Sequence, residues 1–212
     1  AFGEELMVDN ADKGLARACE LTGAKVKEYT AAPLFMLNAG HGRHQWFIEF
    51  EHAPESLDET IAVIQQPVQN IYLVATSAMN LFCALDGLDH ISLSGTDADG
   101  WYIEEAKKAL EDGSISFAGK YSAPDYELIL SKNCGLAVES TMIYHMPEVK
   151  EKLEQFGIPV LVEHSSYEPH PLGRTEWLKL YGVLLDKEEP AQELFEKQAD
   201  KVKNLENSKN TG

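Results

Sequence analysis

The chain has 212 residues, with 35 acidic side chains against 18 basic ones, a formal charge of −17 with histidines neutral. A surface this negative repels phosphate backbones and anionic lipid headgroups, which excludes nucleic acid as a partner. At 44% hydrophobic and 25% charged residues, the composition is that of a folded chain with a core rather than a disordered one.

No run reaches the roughly 18 apolar residues of a membrane span, so no membrane insertion is expected. Residues 1–12 carry neither a basic n-region nor an apolar h-region. The chain is expected to be soluble, and the missing export signal does not fix a cytoplasmic origin. Cys19, Cys83 and Cys134 are odd in number, widely spaced and set among apolar residues, a pattern for buried thiols rather than disulfides or a metal knuckle.

In chain order, residues 2–8 read as a short strand. Residues 10–21 read as a helix with Leu15, Ala18, Cys19 and Leu21 on one face and Gly23 as its stop. KVKEYTAAPLFML at 25–37 looks extended, 40–42 turns, and QWFIEFE at 45–51 alternates like a half-buried strand. Pro54 opens a helix predicted to run to about Ile64. The order β-α-β-β-α makes residues 1–65 a small α+β segment of the ferredoxin-like sort.

From Pro67 the pattern changes. Strands are predicted at 70–76 (NIYLVAT), 90–94, 135–139 (GLAVE) and 158–163 (IPVLVE), with a further extended piece at 116–118. Helices are predicted at 79–85, 101–111, 124–131, 148–156, 172–185 and 190–205, and the polar residues 206–212 form a frayed tail. Strands alternating with helices imply an α/β fold: a parallel sheet in a three-layer α/β/α lobe at 66–205, with ligands at the carboxyl ends of the strands.

PVQNIYLVATSAMNLFCALDGLDHI at 67–91, AGKYSAPDYELIL at 118–130, FGIPVLVEHSSYE at 156–168 and LYGVLLDKEEPAQELFEKQ at 180–198 together carry a resemblance. In order and spacing they are similar to the N-terminal lobe of substrate-binding proteins that serve ABC importers of iron complexes, haem and cobalamin. FGEELMVDNADKGLARA and the stretch from VKEYTAAPLF to HAPESLDE, within residues 2–64, resemble part of the C-terminal domain of auxin-conjugating acyl-acid amido synthetases. Together the two likenesses describe a composite with a junction near Ile64 to Pro67.

The first likeness implies an extracytoplasmic receptor lobe, periplasmic or lipid-anchored, that binds an iron chelate, haem or corrinoid and docks to an ABC permease, with no resident cofactor. One lobe supplies half a pocket, so binding by this chain alone is expected to be weak or absent. The second implies an accessory domain of an adenylate-forming ligase, without its nucleotide-binding part. No GxSxG, HExxH, P-loop or GxGxxG after a strand is present. Glu4, Glu5, His41 and His44 can be imagined as an acid and base, but GHGRH more simply makes a turn.

The working surface of such a lobe is its loops after the strands. Ser77 lies in the first. Tyr121 and Ser122 lie in the second, where the family places an aromatic; this phenol can stack on a macrocycle, donate a hydrogen bond, ligate iron as tyrosinate, or simply pack the loop. The third, STMIYHMP, gathers Met142, Tyr144, His145 and Met146, which suit a transition metal or haem iron but match no dedicated metal motif. The fourth, EHSSYEPHPLGR, adds His164, Tyr167, His170 and Arg174; the arginine can grip an anionic ligand group or pair with Glu168 or Glu176. The likeness also assigns Glu127, in PDYELIL, to permease docking, against the alternative of a solvated helix glutamate.

Overall fold

A computed structural model describes residues 24–28, 35–39, 45–49 and 61–209. The predicted strand at 2–8, helix at 10–21, turn at 40–42, start of the helix at Pro54, and Cys19, Glu4, Glu5, His41 and His44 lie outside the described residues.

The first sheet contains β1 (Ala24–Glu28), β2 (Phe35–Ala39), β3 (Gln45–Glu49) and β4 (Ile61–Gln65) in that order. The β1–β2 and β2–β3 pairs are antiparallel, with Val26 opposite Leu37 and Leu37 opposite Trp46, while β3 and β4 run parallel. Two predictions change here. The extended run at 25–37 is two paired strands with Pro33 in the sequence between them, a residue that cannot donate to a ladder. Residues 61–65, expected to finish a helix, form β4, as suits the β-branched Ile61, Val63 and Ile64.

A second sheet forms the lobe. Its strands are β5 (Ile71–Leu73), β6 (Ile91–Ser94), β7 (Ser116–Phe117), β10 (Leu136–Ser140) and β11 (Val160–Glu163). Between β7 and β10 lies a separate small hairpin of β8 (Gly119–Lys120) and β9 (Ala123–Pro124). The five lobe strands are all parallel, in the order β11-β10-β5-β6-β7. The chain lays down β5, β6 and β7 outward on one side, then returns to place β10 and β11 on the other. The strand order therefore reverses between β5 and β10, the position where open α/β sheets leave a crevice at their carboxyl ends.

Alternation along the strands separates two cores. Ile71, Leu73, Leu136, Val138 and Leu161 face one side, against α1 (Thr76–Ala84), α5 (Pro171–Leu185) and the start of α6 (Glu188–Lys209) through Met79, Phe82, Trp177, Tyr181 and Ala191. Phe82 and Tyr181 meet with ring centroids 4.8 Å apart. On this side Ala106 of α2 (Glu104–Glu111) is also buried. Tyr72, Leu93, Ala137 and Val160 face the other side, against Ile129 of α3 (Tyr126–Ser131) and Val149 and Leu153 of α4 (Pro147–Gln155).

Local chemistry sets the helix starts. The Asp125 carboxylate accepts the Leu128 amide at 3.0 Å to cap α3, and Pro147 and Pro171 occupy first-turn positions where a missing N–H costs nothing. Helix α2 begins at Glu104 rather than 101, because Trp101 is buried with its indole N–H directed to Ser94 Oγ and the Thr96 carbonyl. Helix α6 continues to Lys209, past the point where the frayed tail was predicted to begin. Of the three predicted buried thiols, Cys83 and Cys134 are partly buried free cysteines, and burial pushes the Cys134 thiol up to about 11.

The junction between the sheets is part of the core. Ile64 and Val68 are buried in the α1–α5 cluster, and the Gln66 amide donates to the Val183 carbonyl and to Glu188 at 3.2 Å. No helix among the described residues is long and apolar enough to cross a membrane.

Candidate functional site

The loops after β5, β10 and β11 meet where the strand order reverses. Val74 and Ala75 leave β5 with both amides on the Val138 carbonyl, at 2.9 and 3.0 Å, and this turns the chain into α1 with Ser77 in its first turn. The loop after β10 is a 3-10 turn, Thr141–His145, capped by Ser140, whose hydroxyl accepts the Met142 amide. The loop after β11 is a second 3-10 turn, Ser165–Tyr167, entered through His164.

These two turns place three rings side by side. Tyr144 Oη lies 3.2 Å from His164 Nε2, and the Tyr144–His164 and His164–Tyr167 centroids are each 6.1 Å apart. Tyr167 is 69% exposed, yet its hydroxyl is fixed at 2.8 Å from Thr141 Oγ1. The result is an amphipathic rim with phenol, imidazole and alcohol groups, able to stack on a planar ligand and to exchange hydrogen bonds with it. Partial burial raises the Tyr144 hydroxyl above the ordinary phenol range, which keeps it a neutral phenol unless a metal displaces that proton.

The remaining expected residues fall into different environments. Met142 and His145 are exposed on the same turn as Tyr144. Tyr121 and Ser122 form the two-residue turn of the β8–β9 hairpin, Tyr121 half-buried against the second core and Ser122 exposed. This hairpin requires Gly119, whose φ is +83° and whose position brings a Cβ to 2.3 Å from the Ala123 carbonyl oxygen. The Tyr72 hydroxyl donates to the Gly119 carbonyl at 2.7 Å and anchors the hairpin to β5.

His170 caps α5, its Nδ1 accepting the Leu172 amide at 3.1 Å. Arg174 is exposed and donates to the Ser166 carbonyl at 3.1 Å and the Glu168 carbonyl at 3.4 Å, while Glu176 pairs with Lys179 at 3.3 Å. The arginine thus braces the turn that carries Tyr167. Glu127 is exposed in the first turn of α3. Among the described residues, no group of three or more His, Cys, Asp or Glu side chains is placed to hold a metal ion.

Two acids with no role expected from the sequence are buried at the carboxyl ends of the adjacent strands β10 and β11. Glu139, next to the last residue of β10, lies on the Tyr72 side, fully buried, with neither carboxyl oxygen hydrogen-bonded. Glu163 closes β11 on the Trp177 side; its Oε2 accepts the Ser77 hydroxyl at 2.5 Å and its Oε1 accepts the Ser165 amide at 2.8 Å. The available signal was an acidic residue ending a continuous apolar run, in LAVE and again in VLVE.

No family model matches the chain. An uncharacterized lipoprotein of Methanocaldococcus jannaschii is 27% identical over 158 residues, which cover 70% of this chain and 37% of that protein. Among solved structures, the periplasmic haem-binding protein HutB of Vibrio cholerae matches with a TM-score of 0.51 at 16% identity, over 66% of this chain and 50% of its own. The periplasmic catecholate-siderophore binding protein VctP of Vibrio cholerae matches with a TM-score of 0.52 at 12% identity, over 89% and 55%. The chain spans about half the length of these structures and little more than a third of the lipoprotein. The likeness shows the fold: a parallel five-stranded sheet with flanking helices, the α/β architecture of a substrate-binding protein lobe.

Proposed function

We propose that this chain is a ligand-binding lobe of an extracytoplasmic substrate-binding protein, taking an iron complex, haem or corrinoid-like chelate and passing it to an ABC permease. The observation that carries this reading is the row Tyr144, His164 and Tyr167, held with Thr141 at the carboxyl end of the sheet beside the reversal of strand order. The lipoprotein relative and the periplasmic matches support an extracytoplasmic setting. The chain is read as a binding protein rather than an enzyme.

The test is an absorbance titration with ferric haem, a ferric catecholate and cobalamin. At least one should give a saturable spectral change, weakened roughly three- to tenfold by Tyr144→Ala or Tyr167→Ala through loss of ring stacking. No change with any of the three, or a change indifferent to both substitutions, contradicts the reading. Met142, His145, Tyr121, Ser122, His170 and Arg174 border this surface in the proposal, and Ser77 supports it from below.

Glu127 is proposed as the docking contact. Exposed near the start of α3, it is free to meet a permease arginine, a charge pair that sets register more than affinity. Glu127→Ala should leave chelate affinity unchanged and impair transport in reconstituted vesicles; unchanged transport overturns the assignment.

A further inference from the structure

Tyr167 presents an unusual combination, because the ring is exposed while the turn beneath it is held from two sides. From below, the buried Glu163 carboxylate accepts the Ser165 amide. From α5, Arg174 donates to the Ser166 and Glu168 carbonyls, and the Trp177 indole donates to Glu168 Oε1 at 3.2 Å. Glu163 also reaches across the reversal point, taking the Ser77 hydroxyl of α1 on its second oxygen.

We infer that Glu163 is a positioning residue for the chelate-binding surface: it locks the turn carrying His164 and Tyr167 to the first turn of α1, and so fixes the ring row before ligand arrives. This rests on the function proposed above and deepens it. It also assigns Ser77 a different role from direct ligand contact, since its hydroxyl is committed to Glu163. Rims built in advance gain affinity because the ligand does not have to order them. The carboxylate suits the task, as a buried acceptor for one amide and one hydroxyl, and both bonds are charge-assisted.

Glutamine can reproduce the arrangement, its carbonyl accepting the Ser165 amide and its amide donating to Ser77 Oγ, whereas alanine abandons both groups. Hydrogen exchange needs no ligand and reads the positioning directly. In Glu163→Ala the amides of 164–168 should exchange about tenfold faster or more, with β5 and β6 amides unchanged as the control for global stability. Glu163→Gln should restore most of that protection, and Ser77→Ala should give an intermediate loss.

Ferric haem titration of the same variants should show affinity falling in the same order, by about tenfold for alanine, the size of one charge-assisted bond. Unchanged exchange at 164–168 in Glu163→Ala overturns the inference, as does faster exchange with unchanged haem affinity. If wild-type protein binds neither haem, ferric catecholate nor cobalamin, the proposed function fails on its own, and the exchange arm still decides whether Glu163 positions the turn.

Discussion

At the residue scale, the two strand-end glutamates show how one residue type acquires opposite roles from its surroundings. Glu163 has donors for both oxygens and organises a turn. Glu139 has none, and burial pushes its carboxyl up from 4.5 to about 8. Between those two values the folded protein keeps a proton that the unfolded chain has released. This group therefore makes the protein less stable as pH rises from about 4.5 to about 8, and adds no further loss above that. The nearly isosteric Glu139→Met should raise stability by about 1–4 kcal/mol at pH 8 and far less at pH 4.5, measured by urea unfolding. An equal gain at both values would place the penalty in packing rather than in charge. The sequence displayed Tyr144, Tyr167 and His164 by residue type, since phenols and imidazoles in a loop are visible as candidates. It did not distinguish Glu139 from Glu163, because the difference lies in which face of β10 or β11 each occupies and in one donor, Ser77, that is distant in sequence.

At the element scale, strands and helices of the lobe were readable where local signals agreed. Continuous apolar runs gave β5, β10 and β11, and the helices predicted at 148–156 and 172–185 are α4 and α5, each starting one residue earlier on a proline. Misreadings came where tertiary contacts overrode the local pattern. The stretch from Trp101 to Ile103 has helical spacing, yet the Trp101 indole is directed into Ser94 and Thr96, and α2 starts after it. The segment IAVIQ follows a helix-like opening at Pro54, but β-branched residues and a partner in β3 make it a strand. The loop of Tyr121 is a hairpin because Gly119 permits a backbone that a side chain would block, a requirement with no periodic signature.

At the scale of the whole molecule, strand and helix alternation was enough to predict a parallel α/β/α lobe, and the strand order β11-β10-β5-β6-β7 adds where its crevice lies. The Tyr144 and Tyr167 turns follow the neighbouring strands β10 and β11 of one β-α-β unit, and Ser77 joins them only because β10 returns to the side of β5. The order of pairing depends on long-range contacts, so the sequence could name the loops but not which of them share a rim. At the junction expected near 64–67, Ile64, Gln66 and Val68 pack on the lobe.

The central claim is that a planar metal chelate sits on that shared rim. Its most direct test is amide chemical-shift mapping with gallium protoporphyrin, a diamagnetic stand-in for ferric haem. Saturable shifts should concentrate at 141–146 and 164–168, with the opposite, amino-terminal edge of the sheet unmoved. Shifts centred on that opposite edge, or no saturable shifts while cobalamin and gallium catecholate are equally silent, would contradict it.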